Sequence, residues 1–149
     1  MPRYAVDTID TNTVSTTALA LDGTTTARGF IYDLVVGSNA TPADNAGGYD
    51  LRRFATANGT GTAVVPQPLD PADGVALLSG TENHSTEPTY TAAALLLHWA
   101  QNQRATFRWV AAPGGELVIP ATSDSGIGLQ VQAVAGSAVA MNYTIHYEE

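Results

Sequence analysis

The feature that most constrains the fold is the alternation of side chains at the end of the chain. From Val139 to Tyr147 every second residue is apolar, and the residues between them are small or polar. Successive side chains of a strand point to opposite faces of its sheet, so this period of two predicts a strand with one buried face. The last residues are therefore expected to be held in a sheet.

The same alternation recurs upstream, with turn signals between the apolar stretches. Asp22-Gly23, Asn58-Gly59 and Pro113-Gly114-Gly115 are the clearest of these signals. About eight to ten strands are expected, and the segment at 89–101 is assigned to strand over helix because Pro and Thr residues flank it. The predicted strands cover residues 3–8, 14–21, 25–36, 49–56, 61–65, 89–101, 105–112, 116–119, 127–133 and 139–147.

The length of 149 residues fits one domain, which would bury roughly 70% of the surface of its unfolded chain. Charged residues make up only 13% of the chain, and Thr, Ala, Gly and Val are abundant, which favours strands and turns over amphipathic helices. Short strands at this spacing indicate a sandwich or barrel. The predicted fold class is all-β, a single-domain, jelly-roll-like β-sandwich over residues 1–149.

Three segments receive more specific predictions. Residues 1–22 are expected to form an N-terminal hairpin, or an arm that adds an edge strand to a neighbour. In the strand at 25–36, Phe30, Tyr32, Leu34 and Val36 are expected to share one face. Residues 80–88 are polar and are predicted to be a loop.

Charge and composition exclude several classes of partner. The formal net charge is −8, and all six basic residues are arginines, so no basic patch is expected for nucleic acid or an anionic membrane. No apolar run approaches the roughly 20 residues of a membrane helix, and no secretory leader is recognisable. Because cysteine is absent, disulfides and thiolate metal sites are excluded. A soluble protein without cofactors is predicted.

Catalytic patterns are also missing. The histidines are His84, His98 and His146, and their spacing matches no metal-binding motif. No nucleophile elbow of the G-x-S-x-G type occurs. The sequence predicts a protein that is not an enzyme. A metal-dependent isomerase or lyase on a jelly-roll scaffold is the alternative, and it would require the three histidines to converge.

Five residues are candidates for an interface. Arg52 and Arg53 must face opposite sides of a strand, so at least one of them is expected at a surface or subunit contact. Arg104 and Arg108 are predicted to share a polar face opposite Phe107 and Trp109. Trp99 is either a core residue or part of a sugar-stacking platform, because a buried indole needs a partner for its N–H group.

Several stretches carry a resemblance to a known group of proteins. Residues 102–117 read NQRATFRWVAAPGGEL, and IPAT at 119–122 and GIGLQ at 126–130 continue the pattern. Upstream, PQPLDPAD at 66–73 and EPTYT at 87–91 belong to it too. This part of the chain, from Pro66 onward, resembles small structural proteins encoded by tailed bacteriophages, among them capsid decoration, or cement, proteins. The likeness is one of overall pattern and contains no catalytic motif.

The resemblance implies a jelly-roll-like protein, often trimeric, that bridges capsomers on the outer surface of the phage head. The expected partner is the major capsid protein, the expected assembly is a homotrimer, and the expected location is the virion surface after synthesis in the host cytoplasm. No binding residue can be transferred with the resemblance. The alternative is a carbohydrate-binding or receptor-binding domain of a head or tail fibre that uses loop aromatics.

Overall fold

Twelve antiparallel strands and no helix make up the structure, a computed structural model that describes residues 1–149. The strands are β1 (Arg3–Thr11), β2 (Thr17–Asp22), β3 (Gly29–Ser38), β4 (Ala46–Ala55), β5 (Thr60–Val64), β6 (Gln67–Pro68), β7 (Ser79–Thr86), β8 (Tyr90–Asn102), β9 (Phe107–Val110), β10 (Leu117–Ile119), β11 (Ser125–Val134) and β12 (Ala140–Glu148). The ten predicted strands correspond to all of these except β6 and β7.

The strands pair in a nested order. β1 pairs with β12, β2 with β11, β3 with both β9 and β10, and β4 with β8. The chain alternates between two sheets as it passes through these pairs, so the two halves of one long hairpin roll up together. This is the arrangement of a jelly roll, in which two antiparallel sheets enclose one core. The predicted all-β, jelly-roll-like sandwich is confirmed.

The two sheets are called sheet A and sheet B below. In sheet A the order is β10-β3-β12-β1-β6, and β9 also pairs with β3. In sheet B the order is β5-β7-β2-β11-β4-β8. The insert between β4 and β8 extends both sheets, because β7 and β5 add to sheet B beside β2 while β6 adds to sheet A beside β1.

The last strand behaves as its alternation predicts. Met141, Tyr143, Ile145 and Tyr147 of β12 are fully buried between the sheets. They belong to a core cluster of 21 residues. Burial of large apolar side chains of this kind contributes about 1.5–3 kcal/mol each. The position of β12 between β1 and β3 therefore joins the middle of sheet A to the core.

The predicted N-terminal hairpin or free arm is wrong. β1 pairs along all nine of its residues with β12 in sheet A, whereas β2 lies in sheet B between β7 and β11. Tyr4 and Val6 are buried in the core. Residues 1–22 are thus structural parts of both sheets. The sequence suggests a hairpin because the two segments are close along the chain, but each finds its partner far from it.

Two further predictions need correction. In β3, one extra residue at Tyr32 shifts the register against β12, so Ile31, Leu34 and Val36 face the core while Phe30 and Tyr32 remain half-buried. Residues 80–88 are not a loop, since most of them form β7. The residues of β7 show no apolar alternation, so the sequence gives no sign of a strand. β7 is a strand because its backbone pairs with β2 on one side and β5 on the other. The bulge at Tyr32 and the polar strand β7 are both defined by pairing with a neighbouring strand, which the local sequence does not reveal.

The core position of Ile145 makes a direct test of the sandwich possible. Replacement of Ile145 by Ala should lower the free energy of unfolding by about 2–5 kcal/mol, because it removes buried methylene groups and leaves a cavity. The matched control is Ile9→Ala, since Ile9 is 56% exposed. Its effect should stay within about 0.5 kcal/mol. Urea unfolding followed by tryptophan fluorescence measures both, and equal effects would contradict this placement of β12.

Candidate interaction site

Arg108 forms an ion pair with the buried carboxylate of Asp33 on the outer face of sheet A. Its Nε lies 3.0 Å from Oδ1 of Asp33, and its Nη2 lies 2.7 Å from Oδ2, so one carboxylate accepts two parallel hydrogen bonds. These bonds, opposed in part by burial, lower the pKa of Asp33. His146 Nδ1 lies 3.5 Å from the same carboxylate. Arg108 is therefore engaged within the chain, although much of its side chain stays exposed.

Arg52 lies on the outer face of sheet B. Its Nη1 donates a hydrogen bond of 3.1 Å to Oε1 of Gln130, and its guanidinium carbon is 5.2 Å from the ring centroid of Tyr90. The Tyr90 hydroxyl lies 2.5 Å from the hydroxyl of Thr17. Burial is the main cause of the raised pKa of Tyr90. This cation–π contact packs the Tyr90 ring against the outer face of sheet B, close to Gly128 of β11.

Arg53 points in the opposite direction, as the strand period requires. Its Nη1 donates a hydrogen bond of 2.7 Å to the carbonyl oxygen of Val118 in β10. Because β10 belongs to sheet A and Arg53 belongs to sheet B, this bond connects the two sheets. The prediction that the successive arginines face opposite sides is confirmed.

Trp99 is a core residue. It is 7% exposed and stacks between Tyr49 and Phe107, with ring centroids 5.5 Å and 4.5 Å away. Its indole N–H donates a hydrogen bond of 3.0 Å to Oε1 of Gln101. This bond supplies the partner that a buried indole N–H needs. Trp99 is thus not available as an exposed sugar platform.

Arg104 lies in the turn after β8 and is exposed. Its Nε is 3.5 Å from the carbonyl oxygen of Pro42. The expectation that Arg104 and Arg108 share a strand face is wrong, because β9 begins only at Phe107. The five predicted interface residues therefore do not form one patch, since they are divided between two outer faces, the interior and a turn.

The structure instead draws attention to the edges of sheet B. β5 and β8 are the outermost strands of that sheet, and each pairs on one side only. An unpaired strand edge offers a row of backbone donors and acceptors to another chain. Both lie in long stretches without Asp, Glu, Lys or Arg, at residues 54–69 and 88–103. The absence of charge in these two stretches was the sequence signal that could have identified the edge strands, and the prediction from sequence missed it.

The edges of sheet A differ from those of sheet B. On one side the edge is β6, which has two residues and contains Pro68. On the other side the edge is broken into β9 and β10, of four and three residues, with Pro113 between them. Very short strands and proline are features that prevent edge-to-edge association. β6 covers only two residues of β1, and the rest of that edge is β1 itself, which carries Asp7 and Asp10. β5 and β8 carry no formal charge and no proline, although the pairing of each with its neighbour contains a register shift.

The three histidines do not converge. His98 contacts the carboxylate of Asp50 on the outer face of sheet B, and His146 lies on the outer face of sheet A. His84 Nδ1 is 3.1 Å from the carbonyl oxygen of Thr17. No group of three His, Cys, Asp or Glu side chains could hold a metal ion. The one surface pocket is lined by Met1, Pro2, Arg3, Leu69, Asp70 and Asp73.

No family model, curated protein or solved structure matches the chain. The structure contains no helix of the length and hydropathy needed to cross a membrane.

The most perturbed carboxylate is Asp22 at the end of β2. Its Oδ1 is buried without a hydrogen-bond partner, and burial, with a smaller contribution from Asp124, raises its pKa to about 6. An unfolded aspartate titrates near pH 3.9. Because the folded state binds this proton more tightly, the stabilising contribution is complete below about pH 4 and is lost as pH rises through about 6.

Asp22→Asn should therefore stabilise the protein at pH 8 relative to the original chain, by an amount on the order of 1 kcal/mol after allowance for solvent screening. At pH 4 the two proteins should be nearly equal, since the protonated carboxyl and the amide are both neutral. Urea unfolding at the two pH values measures the difference. Asp7→Asn, at an exposed position of β1, is the control and should show no such pH dependence. A stabilisation that is the same at both pH values would contradict the assignment.

Proposed function

We propose that this chain is a non-catalytic structural protein of a bacteriophage particle that decorates the outer surface of the capsid and bridges capsomers. The observation that carries the proposal is a sandwich with one buried core whose sheet B ends in two strands without formal charge or proline. A protein that acts by contact needs a stable scaffold and a place for neighbouring chains to bind. The resemblance of the chain from Pro66 onward to phage structural proteins supports the same function.

The proposed partner is the major capsid protein, and the proposed assembly is a homotrimer on the virion surface, made first in the host cytoplasm. Many copies would bind the assembled shell and not its separated subunits. Binding to one state alone shifts the equilibrium toward that state by mass action, so each bound copy would oppose rupture of the shell. The net charge of −8 would limit adhesion to packaged DNA.

The alternative, a carbohydrate-binding or receptor-binding fibre domain, has less support. It relied on Trp99 as an exposed stacking platform, and the Trp99 side chain is buried between Tyr49 and Phe107. Phe107 and Trp109 also pack against the core. Specific binding to a glycan array would nevertheless favour this alternative over the shell.

The proposed function is tested by mixing the purified protein with capsids of the encoding phage that lack it. Saturable co-sedimentation and a higher temperature of capsid rupture are expected. The proposed shell contact includes Arg104, an interface candidate of the sequence analysis that is exposed in the turn after β8. Arg104→Glu reverses the charge there and should weaken binding roughly tenfold without changing the melting temperature. The control is Arg28→Glu, an equal charge change at another exposed arginine.

If the protein remains in the supernatant at all concentrations, the proposed function is wrong. If it binds and the two charge variants behave alike, Arg104 is not at the contact. Intact binding without any change in rupture temperature would contradict the stabilising role.

A further inference from the structure

We propose that copies of this chain associate head to tail, with the free edge of β8 in one copy pairing with the free edge of β5 in the next. Sheet B would then continue from copy to copy around a ring. The proposal deepens the trimer that is part of the proposed function and rests on it for the number of copies. The contact between copies is expected to form in the free protein, in the absence of any capsid shell.

The first argument is electrostatic. A chain with a net charge of −8 repels other copies of itself over most of its surface. Residues 54–69 and 88–103 are the stretches that contain β5 and β8, and neither holds a formally charged Asp, Glu, Lys or Arg. Two copies that meet at these edges bring no like charges together. Of the two sheets, only sheet B offers such an edge on both sides.

The second argument is the exposure of apolar side chains at these edges. Leu95 on β8 is 48% exposed, and Val65 directly after β5 is 62% exposed. Leu96 and Leu97 are only partly buried. Register shifts interrupt the pairing of β8 with β4 on both sides of Leu95, and one interrupts the pairing of β5 with β7. An apolar edge without charge or proline is nevertheless a site at which another strand adds. A two-fold β8-to-β8 contact would cover one of these edges, whereas a head-to-tail contact covers both.

The third argument is the direction of the strands. All neighbours in sheet B are antiparallel, and the sheet has six strands, so β5 and β8 run in opposite directions. Rotation about an axis parallel to the strands keeps every direction unchanged. It therefore places β8 of one copy antiparallel to β5 of the next. A heterologous contact of this type closes into a ring when the rotation is a simple fraction of a turn.

The register of the sheet indicates which residues would meet. One row of paired residues crosses the whole outer face of sheet B, and its two ends are Ala63 on β5 and Leu95 on β8. The row consists of Ala63, Thr81, Ala20, Gly128, Arg52 and Leu95. In a ring, the end of this row in one copy comes near its beginning in the next. Within one copy the two ends are about 24 Å apart, since five strand spacings separate them.

The absence of cysteine allows a cross-linking test. The double variant Leu95→Cys/Ala63→Cys, treated with a short bis-maleimide reagent, should give a ladder of linked chains that ends at three. The single variants Leu95→Cys and Ala63→Cys should remain unlinked. The control is Val110→Cys/Ala63→Cys, because Val110 is 56% exposed but lies on β9 in sheet A. It should not form the ladder.

Light scattering on the free protein gives an independent measurement. The original chain should have three times the mass of 15.5 kDa, and Leu95→Glu should have the mass of one chain, whereas Val110→Glu should remain trimeric. Self-linking of the Leu95→Cys single variant would overturn the proposal in favour of a two-fold contact. A monomer at every concentration, or a double variant that stays unlinked, would also overturn it. Capsid binding by such a monomer would leave the proposed function intact and reject this contact alone.

Discussion

The structure depends on the pairing of the last strand with the first. β12 lies between β1 and β3 and is the only strand of sheet A that bonds along nearly its whole length on both sides. Its inward side chains, from Met141 to Tyr147, are fully buried against sheet B. The pair β1–β12 is the outermost in the nested order, so the strands of every other pair lie between β1 and β12 in the sequence. Both ends of the chain are consequently needed for the core.

This topology also decides where the chain has free edges. Rolling up nested pairs leaves two open sides on each sheet, and the insert between β4 and β8 alters one side of each. β6 covers only two residues of β1 at the edge of sheet A, whereas β7 and β5 extend sheet B beside β2 and move its edge outward. β5 and β8 are bonded to β7 and β4 on their inner sides, but no strand pairs with their outer sides. Unpaired backbone groups of this kind are available to another chain, and this asymmetry connects the fold with the proposed assembly.

Most strands, and the fold class, were predictable because a period of two is a local property of the sequence. The alternation in β12 and the opposite directions of Arg52 and Arg53 follow from that period alone. The prediction was wrong where a neighbouring strand changes the pattern. Tyr32 is an extra residue opposite β12, and β7 has no apolar face because its strand depends on pairing with β2 and β5. Arg104 was placed on a strand that begins three residues later.

The sequence by itself determined an all-β chain without cysteine or lysine, with strong negative charge and a buried C-terminal strand. Only the tertiary structure decided that residues 1–22 belong to two sheets, that the Trp99 indole is buried against Gln101, and that the candidate arginines lie apart. The physical reason is that side-chain alternation specifies which face of a strand is buried, but not which distant strand it pairs with. Partner choice depends on the packing of the whole core, and that choice also determines which strands remain at an edge.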